Sequence, residues 1–226
     1  VRAAAPLPIV VLISGGGTNL QSIIDAAASG ALPVDIRAVI SNRADAFGLE
    51  RARRGGIHTE VLDQREAPDR ETYDRRLAGL IDRFEPGLVV LAGFMRILTP
   101  ELVAHYSGRM LNIHPSLLPA FRGLHTHRRA LEAEVREHGA SVHFVTPDLD
   151  SGPVIVQARV PVLPGDDPET LAARVLAQEH RIYPLAIRWF AEGRLRLNGG
   201  RVWLDGKPLG PGGHDFRPEA AETAAP

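Results

Sequence analysis

Asn112 and His114 stand two apart in RMLNIH (109–114), a short apolar run that Pro115 closes. Alternation along a strand puts both side chains on one face, about 6–7 Å apart. Pro115 holds His114 extended and ends the strand. A carboxamide and an imidazole aimed at one space can act together on a carbonyl oxygen. Asn112 donates from its amide, and His114 donates a hydrogen bond or a proton as negative charge develops. A nearby carboxylate would stabilise the imidazolium and orient the ring. TPDLDSGPVI (146–155) supplies two candidates, Asp148 and Asp150, in a loop closed by Gly152 and Pro153. No nucleophile accompanies the set: Ser116 is near, but G-x-S-x-G is absent. Asparagine, histidine and aspartate without a nucleophile suit direct attack by a substrate amine or a water on an acyl carbon. His125 and His127 read as solvated or supporting residues, so no metal is expected. His143 alternates within a strand and stays unassigned.

A second chemical feature is SGGGTNL (14–20), which joins the first apolar run to the first helical pattern. Glycines let a backbone approach a ligand closely, and the helix start offers unpaired N–H groups and a partial positive charge. Thr18 adds a hydroxyl and Asn19 a further polar group, so a phosphate is the expected guest. The dinucleotide fingerprint would need glycine at position 20, which is Leu20, and VISNR (39–43) lacks the acidic residue that would hold a ribose. The loop therefore suits a phosphomonoester.

Parallel strands with intervening helices would bring these features together. PIVVLIS (8–14), VDIRAVISN (34–42), GLVVLAGF (87–94) and RMLNIH are near-continuous apolar runs. They alternate with helical patterns at 18–30, 45–56, 69–84 and 99–108, where Thr99 and Pro100 open the last helix and Gly108 closes it. Strands buried on both faces and separated by helices predict an α/β fold: a Rossmann-like, mostly parallel sheet with helices on both faces. Ligands bind such sheets beyond the strand C-termini, where both chemical features lie. A helix is expected near 126–137. ASVHFVTP (140–147) and PVIVQARVPV (153–162) either pair as a hairpin or extend the sheet in mixed orientation. A helix over 168–191 is expected to be kinked or interrupted by Pro184. RLRLNGGRVWLDG (194–206) reads as a hairpin turned at Asn198, Gly199 and Gly200. The segment GHDFRPEAAETAAP (213–226) reads as a disordered tail.

Bulk composition narrows the classes. The 226 residues, 44% hydrophobic, suffice for one globular unit, and a net charge of −1 gives no electrostatic reason to expect nucleic acid or an anionic membrane. Without cysteine, thiolate chemistry and cysteine-held metals are excluded. Lys207 is the single lysine and sits in a turn-like segment, which disfavours a Schiff-base enzyme, and no P-loop pattern occurs. The N-terminal apolar run is too short to span a bilayer and lacks a signal-peptide layout, so a cytoplasmic location is expected.

Five segments in register, SGGGTNLQ (14–21), LAGFMRILTPE (91–101), NIHPSLLPAFRGLHTH (112–127), HGASVHFVTPDLDSGPVI (138–155) and QEHRIYP (178–184), resemble the phosphoribosylglycinamide formyltransferase family. The resemblance runs over about residues 8–205. It implies the formyltransferase fold and transfer of a formyl group from 10-formyltetrahydrofolate to the amino group of glycinamide ribonucleotide in purine biosynthesis. The folate is a co-substrate, and the family needs no metal. The catalytic positions fall on Asn112, His114 and Asp150, and those for the ribonucleotide on Gly17, Thr18, Asn19 and Glu179. The folate positions fall on Arg70, Met95, Arg96, Ile97, Leu98, Asn112, Thr146, Pro147, Asp148, Leu149 and Asp150. The expected organisation is an N-terminal extension over 1–7, one formyltransferase domain over 8–205, and a tail over 206–226. Within the domain, 8–108 would serve the nucleotide phosphate and 109–205 would complete the folate and catalytic site. Expected partners are the two small molecules, with no nucleic acid and no membrane, in a monomer or homodimer. Leu176 stands three positions before Glu179, where some relatives carry a polar residue that helps hold the phosphate; Thr18, the backbone or Arg174 would compensate. The alternatives are a formyltetrahydrofolate hydrolase, expected to carry an additional N-terminal domain, and a non-catalytic folate- or phosphosugar-binding protein.

Overall fold

A computed structural model, which describes residues 5–217, turns the apolar runs into one eight-stranded sheet. Strands β1 (Leu7–Ile13), β2 (Val34–Ser41), β3 (Thr59–Val61), β4 (Leu88–Leu91) and β5 (Met110–His114) run parallel, in the spatial order β3-β2-β1-β4-β5. Helices α1 (Thr18–Ala28), α2 (Phe47–Arg54), α3 (Arg70–Asp82) and α4 (Pro100–His105) connect them. After α5 (Thr126–Glu132), β6 (Glu137–Phe144) joins antiparallel to β5, and β7 (Val154–Pro161) joins antiparallel to β6. Both outcomes allowed for the 140–162 region therefore occur together. The long helix α6 (Pro168–Ala191) follows. A small antiparallel sheet comprises β8 (Leu195–Asn198), β9 (Arg201–Leu204) and β10 (Lys207–Pro208), with β8 and β9 turned at Gly199 and Gly200, both at positive φ. No helix among the described residues is long and apolar enough to cross a membrane.

Strand alternation divides the core in two. Ile9, Val11 and Ile13 of β1 face a cluster with Leu20 and Ile23 of α1, Leu49 of α2, and Val175 and Ile187 of α6. Val10 and Leu12 point the other way, toward Tyr73, Leu77 and Ile81 of α3 and Leu102 of α4. Because both faces are covered, β1 and β4 carry no polar side chain, which is why their runs read as continuously apolar. Asp69, Thr99 and Asp167 cap α3, α4 and α6 by accepting the N–H three residues on.

Three expectations need correction. The helix near 126–137 ends at Glu132; Glu134 turns through positive φ, and Glu137 already pairs with Pro161 in the sheet. Pro184 does not interrupt α6, which runs through it; the missing N–H costs one hydrogen bond within a helix held by its apolar face. The residues read as a tail are structured over part of their length. β11 (His214–Phe216) pairs parallel with the otherwise open edge of β7, while residues 218–226 lie outside the described residues. Gly213 permits the return, because a Cβ there would meet the Ile155 carbonyl at 2.6 Å and the residue has φ +68°.

Two neighbouring strands leave the sheet centre in opposite directions: the chain passes from β1 outward to β2, and later from β4 outward to β5. Such a switch point opens a crevice beyond the strand C-termini. The glycine loop follows β1, the segment 93–98 follows β4, and Asn112 and His114 end β5. They share that crevice.

Candidate active site

At the end of β5, His114 and Asp150 are both nearly buried, 6% and 9% exposed, with His114 Nδ1 at 3.4 Å from Asp150 Oδ2. Asp150 sits at φ +48°, a turn conformation that aspartate tolerates, and its Oδ2 also accepts the Gly123 N–H at 2.9 Å. The turn decides between the two candidate acids: Asp148 is exposed, and Asp150 faces the imidazole. His114 Nε2 lies 3.0 Å from the Phe121 carbonyl. Both ring nitrogens thus face oxygen acceptors, which a ring carrying hydrogen on both can serve together.

The antiparallel register sets His143 of β6 opposite Asn112. His143 Nδ1 lies 2.9 Å from the Phe144 carbonyl, which can only accept, so Nδ1 carries the hydrogen. Nε2 is then an acceptor for Asn112 Nδ2 at 3.3 Å. Burial pushes the His143 pKa down, in keeping with a neutral ring. His143 therefore orients the Asn112 amide and leaves its second N–H free. Sequence reasoning missed this residue, because only the strand register identifies its partner.

The loop after β5 is fixed from below. Ser116 Oγ donates to the Ala120 carbonyl at 2.6 Å, which makes it a turn residue rather than a nucleophile. Ser141 Oγ donates to the Ser116 carbonyl, and Gln157 Nε2 donates to Ser141 Oγ and the Leu118 carbonyl. His125 is exposed at the start of α5, while His127 Nδ1 lies 3.2 Å from His138 Nε2. Burial lowers both of these pKa values, that of His138 to about 4. Among the described residues no group of three or more His, Cys, Asp or Glu is arranged to hold a metal ion.

The glycine loop has the expected openness. Gly17 precedes α1 at φ +72°, and a Cβ there would lie 2.6 Å from Gly48 Cα. No side chain caps α1, so the amides of its first turn remain directed outward. Arg51 Nε donates to the Gly16 carbonyl at 2.7 Å, placing a guanidinium at the loop that the sequence reading did not single out. Asn19 Nδ2 donates to Glu179 Oε2 at 2.7 Å, across 160 residues of chain. Glu179 is 7% exposed, and its burial raises its pKa against the smaller opposing effect of the Asn19 bond. Arg174 does not reach this loop; it is held by Asp166 at 2.6 and 2.8 Å and by the Pro161 carbonyl.

Between these groups lie two loops with apolar side chains turned to solvent. Met95, Ile97 and Leu149 are each more than half exposed. Leu98 instead packs into the core between the sheet, α3 and α4, so only its backbone borders the crevice. Arg96 lies over the Tyr73 ring, and Arg70 faces Glu71 in the exposed first turn of α3. Thr146 Oγ1 donates to the Asp148 carbonyl at 3.4 Å. Pro147 and Asp148 form the exposed rim of the loop that carries Asp150. β5 stands two strand spacings from β1, about 10 Å. The crevice thus has the glycine loop and the uncapped amides of α1 at one end and the Asn112, His114 and Asp150 cluster at the other.

Residues 7–187 match the model of the formyl transferase family. The chain is 60% identical, over 206 residues, to a phosphoribosylglycinamide formyltransferase of Escherichia coli (strain K12), a match covering 91% of this chain and 97% of that protein. Among solved structures it is similar to a phosphoribosylglycinamide formyltransferase from Coxiella burnetii, at 58% identity and a TM-score of 0.91, covering 94% of this chain and 100% of that one. A more distant likeness is to a formyltetrahydrofolate deformylase from Burkholderia mallei, at 30% identity and a TM-score of 0.81, covering 89% of this chain and 70% of that chain.

Proposed function

Since the chain belongs to the formyl transferase family, we propose that it transfers the formyl group of 10-formyltetrahydrofolate to the amino group of glycinamide ribonucleotide, the reaction of a phosphoribosylglycinamide formyltransferase. The observation that carries the chemical reading is the buried His114–Asp150 pair at 3.4 Å, at the end of the strand that also bears Asn112. The substrate amine attacks the formyl carbon and forms the new C–N bond. The carbonyl oxygen takes up negative charge, and collapse of this tetrahedral species breaks the bond to the folate N10. The proton lost by the attacking nitrogen passes to N10, so the reaction balances without an added oxidant or metal.

Each residue has a distinct part in this scheme. Asn112 directs its free amide N–H at the oxyanion, with its other N–H held by His143. His114 turns its Nε2–H from the Phe121 carbonyl to the oxyanion, a stronger acceptor, while Nδ1 keeps Asp150. Asp150 stabilises the positive ring and assists the proton relay. The amides after Gly17, with Thr18 and Arg51, hold the phosphate, which leaves Leu176 without a polar role. Glu179, kept in place by Asn19, receives the amino end of the ribonucleotide. The pterin lies against the 93–98 backbone and the 146–150 loop, with Met95, Ile97 and Leu149 as its apolar rim. The tail carboxylates of the folate run toward Arg96 and Arg70.

The test is turnover of 10-formyltetrahydrofolate with and without glycinamide ribonucleotide. Formation of formylated nucleotide, with no folate turnover in its absence, is the expected result. Equal turnover without the nucleotide would establish the hydrolytic reaction named for the Burkholderia relative, and no turnover would leave a binding protein.

A further inference from the structure

Four arginines stand around the sheet edge beyond β2, β3 and β4, and three face acidic partners. Arg43 pairs with Asp45 at 2.8 Å, Arg65 with Asp63 at 2.6 Å, and Arg70 with Glu71 at 3.8 Å. Among the described residues Arg96 has no carboxylate partner, and its Nε is buried without an acceptor. Its guanidinium is nevertheless held. It lies 3.8 Å from the Tyr73 ring centroid, and Nη1 donates to Gln64 Oε1 at 2.8 Å.

Gln64 is itself fixed by a buried relay. Asn42 Nδ2 donates to the same Gln64 oxygen at 3.1 Å, Ser14 Oγ donates to Asn42 Oδ1 at 2.6 Å, and Met95 N donates to Ser14 Oγ at 2.8 Å. Ser14 N also donates to the Gly93 carbonyl. The relay therefore begins and ends on the 93–98 segment, passing through the ends of β1 and β2. Asn42 and Gln64 also line a concavity of about 400 Å³. A side chain as mobile as arginine loses affinity for a carboxylate if it must be ordered at the moment of binding; a pre-held guanidinium avoids that loss.

We propose that Gln64 is a positioning residue of the folate site, holding the uncompensated Arg96 cation where the carboxylate tail of the donor is received. This rests on the functional reading above, so its test separates the two. Gln64 is exposed on a single 3-10 turn (Gln64–Glu66), and removing it opens no core. Dissociation constants are measured by calorimetry on the full chain for tetrahydrofolate and for the same reduced pterin–aminobenzoate lacking glutamate. Gln64→Ala is expected to weaken tetrahydrofolate about 5- to 10-fold, the scale of one ordinary net hydrogen bond, and to leave the tail-less analogue unchanged. In an Arg96→Ala background, Gln64→Ala should add nothing. Equal weakening of both ligands, full additivity with Arg96→Ala, or no effect of Gln64→Ala each overturns the inference. A wild-type chain that binds neither ligand overturns the functional reading and this inference with it.

Discussion

Replacing Asp150 by asparagine removes one charge and little else. Asparagine tolerates the positive φ of +48° as aspartate does, and its amide oxygen can still accept the Gly123 N–H, so the loop has no reason to unfold. What disappears is the field at His114. With an effective dielectric near 20, a carboxylate 3.4 Å from an imidazolium contributes about 5 kcal/mol before desolvation is counted. Desolvation of a pair this deeply buried removes part of that, leaving about 3–4 kcal/mol in the step where His114 carries positive charge. At 1.4 kcal/mol per tenfold, Asp150→Asn should lower kcat by about 100- to 1000-fold. The KM for the ribonucleotide should change little, because the groups proposed to hold its phosphate and amine lie elsewhere. Steady-state kinetics with both substrates, on protein whose thermal melt matches wild type within a few degrees, measures this. A folded variant whose kcat stays within tenfold of wild type would refute the role given to the pair.

Three further outcomes test separate parts of the site. His143→Leu removes the acceptor that orients the Asn112 amide and should lower kcat about tenfold, less than loss of Asn112 itself; equal kcat in the two single variants would contradict an orienting role. Glu179→Gln keeps the oxygen that Asn19 donates to but removes the charge that would meet the substrate amine, so the KM for glycinamide ribonucleotide should rise about 10- to 100-fold with the folate KM unchanged. His138 is held neutral in the fold, with its pKa pushed down to about 4 by burial, then by the neighbouring His127 and His114. Its folded value lies below the unfolded 6.5, so stability is fully present above pH 6.5 and is lost as pH falls toward 4, by about 3 kcal/mol in all. Denaturant melts at pH 7 and pH 4.5 should show a smaller loss for His138→Gln than for wild type.

The parallel half of the sheet was readable because β1, β4, β5 and the second half of β2 are buried on both faces and so leave apolar runs. β10 and β11 were not, since Lys207–Pro208 and His214–Phe216 are too short and polar to show a period; an open strand edge decides their pairing. The same division holds in the site. Asn112 and His114 were found together because strand alternation is a local rule. The residue pattern alone left Asp150 beside Asp148, and the family resemblance chose Asp150; the physical reason is the backbone turn at Asp150, as the Asn112 register is for His143. Gln64 and Arg51 carry no local signal. Glu179 reads locally as an exposed helix residue and meets Asn19 only after 160 residues of chain have folded.

That long-range meeting is the work of α6. One turn after Glu179, the fully buried Tyr183 donates to the Leu91 carbonyl at 2.7 Å and lies 3.1 Å from the Leu111 carbonyl, so it touches the C-terminal end of β4 and the residue of β5 that precedes Asn112. Leu111 is the neighbour of Asn112, and Leu91 pairs with Asn112 across the strands. One helix turn therefore fixes the Glu179 carboxylate, proposed to receive the substrate amine, relative to the Asn112 carboxamide, proposed to receive the oxyanion. Attack at a formyl carbon needs reacting atoms about 3–3.5 Å apart, and a displacement of about 1 Å can cost 100-fold. In the proposed reaction a tyrosine outside the catalytic cluster thereby acts on the geometry of the attack, its hydroxyl satisfied by the two strands it aligns.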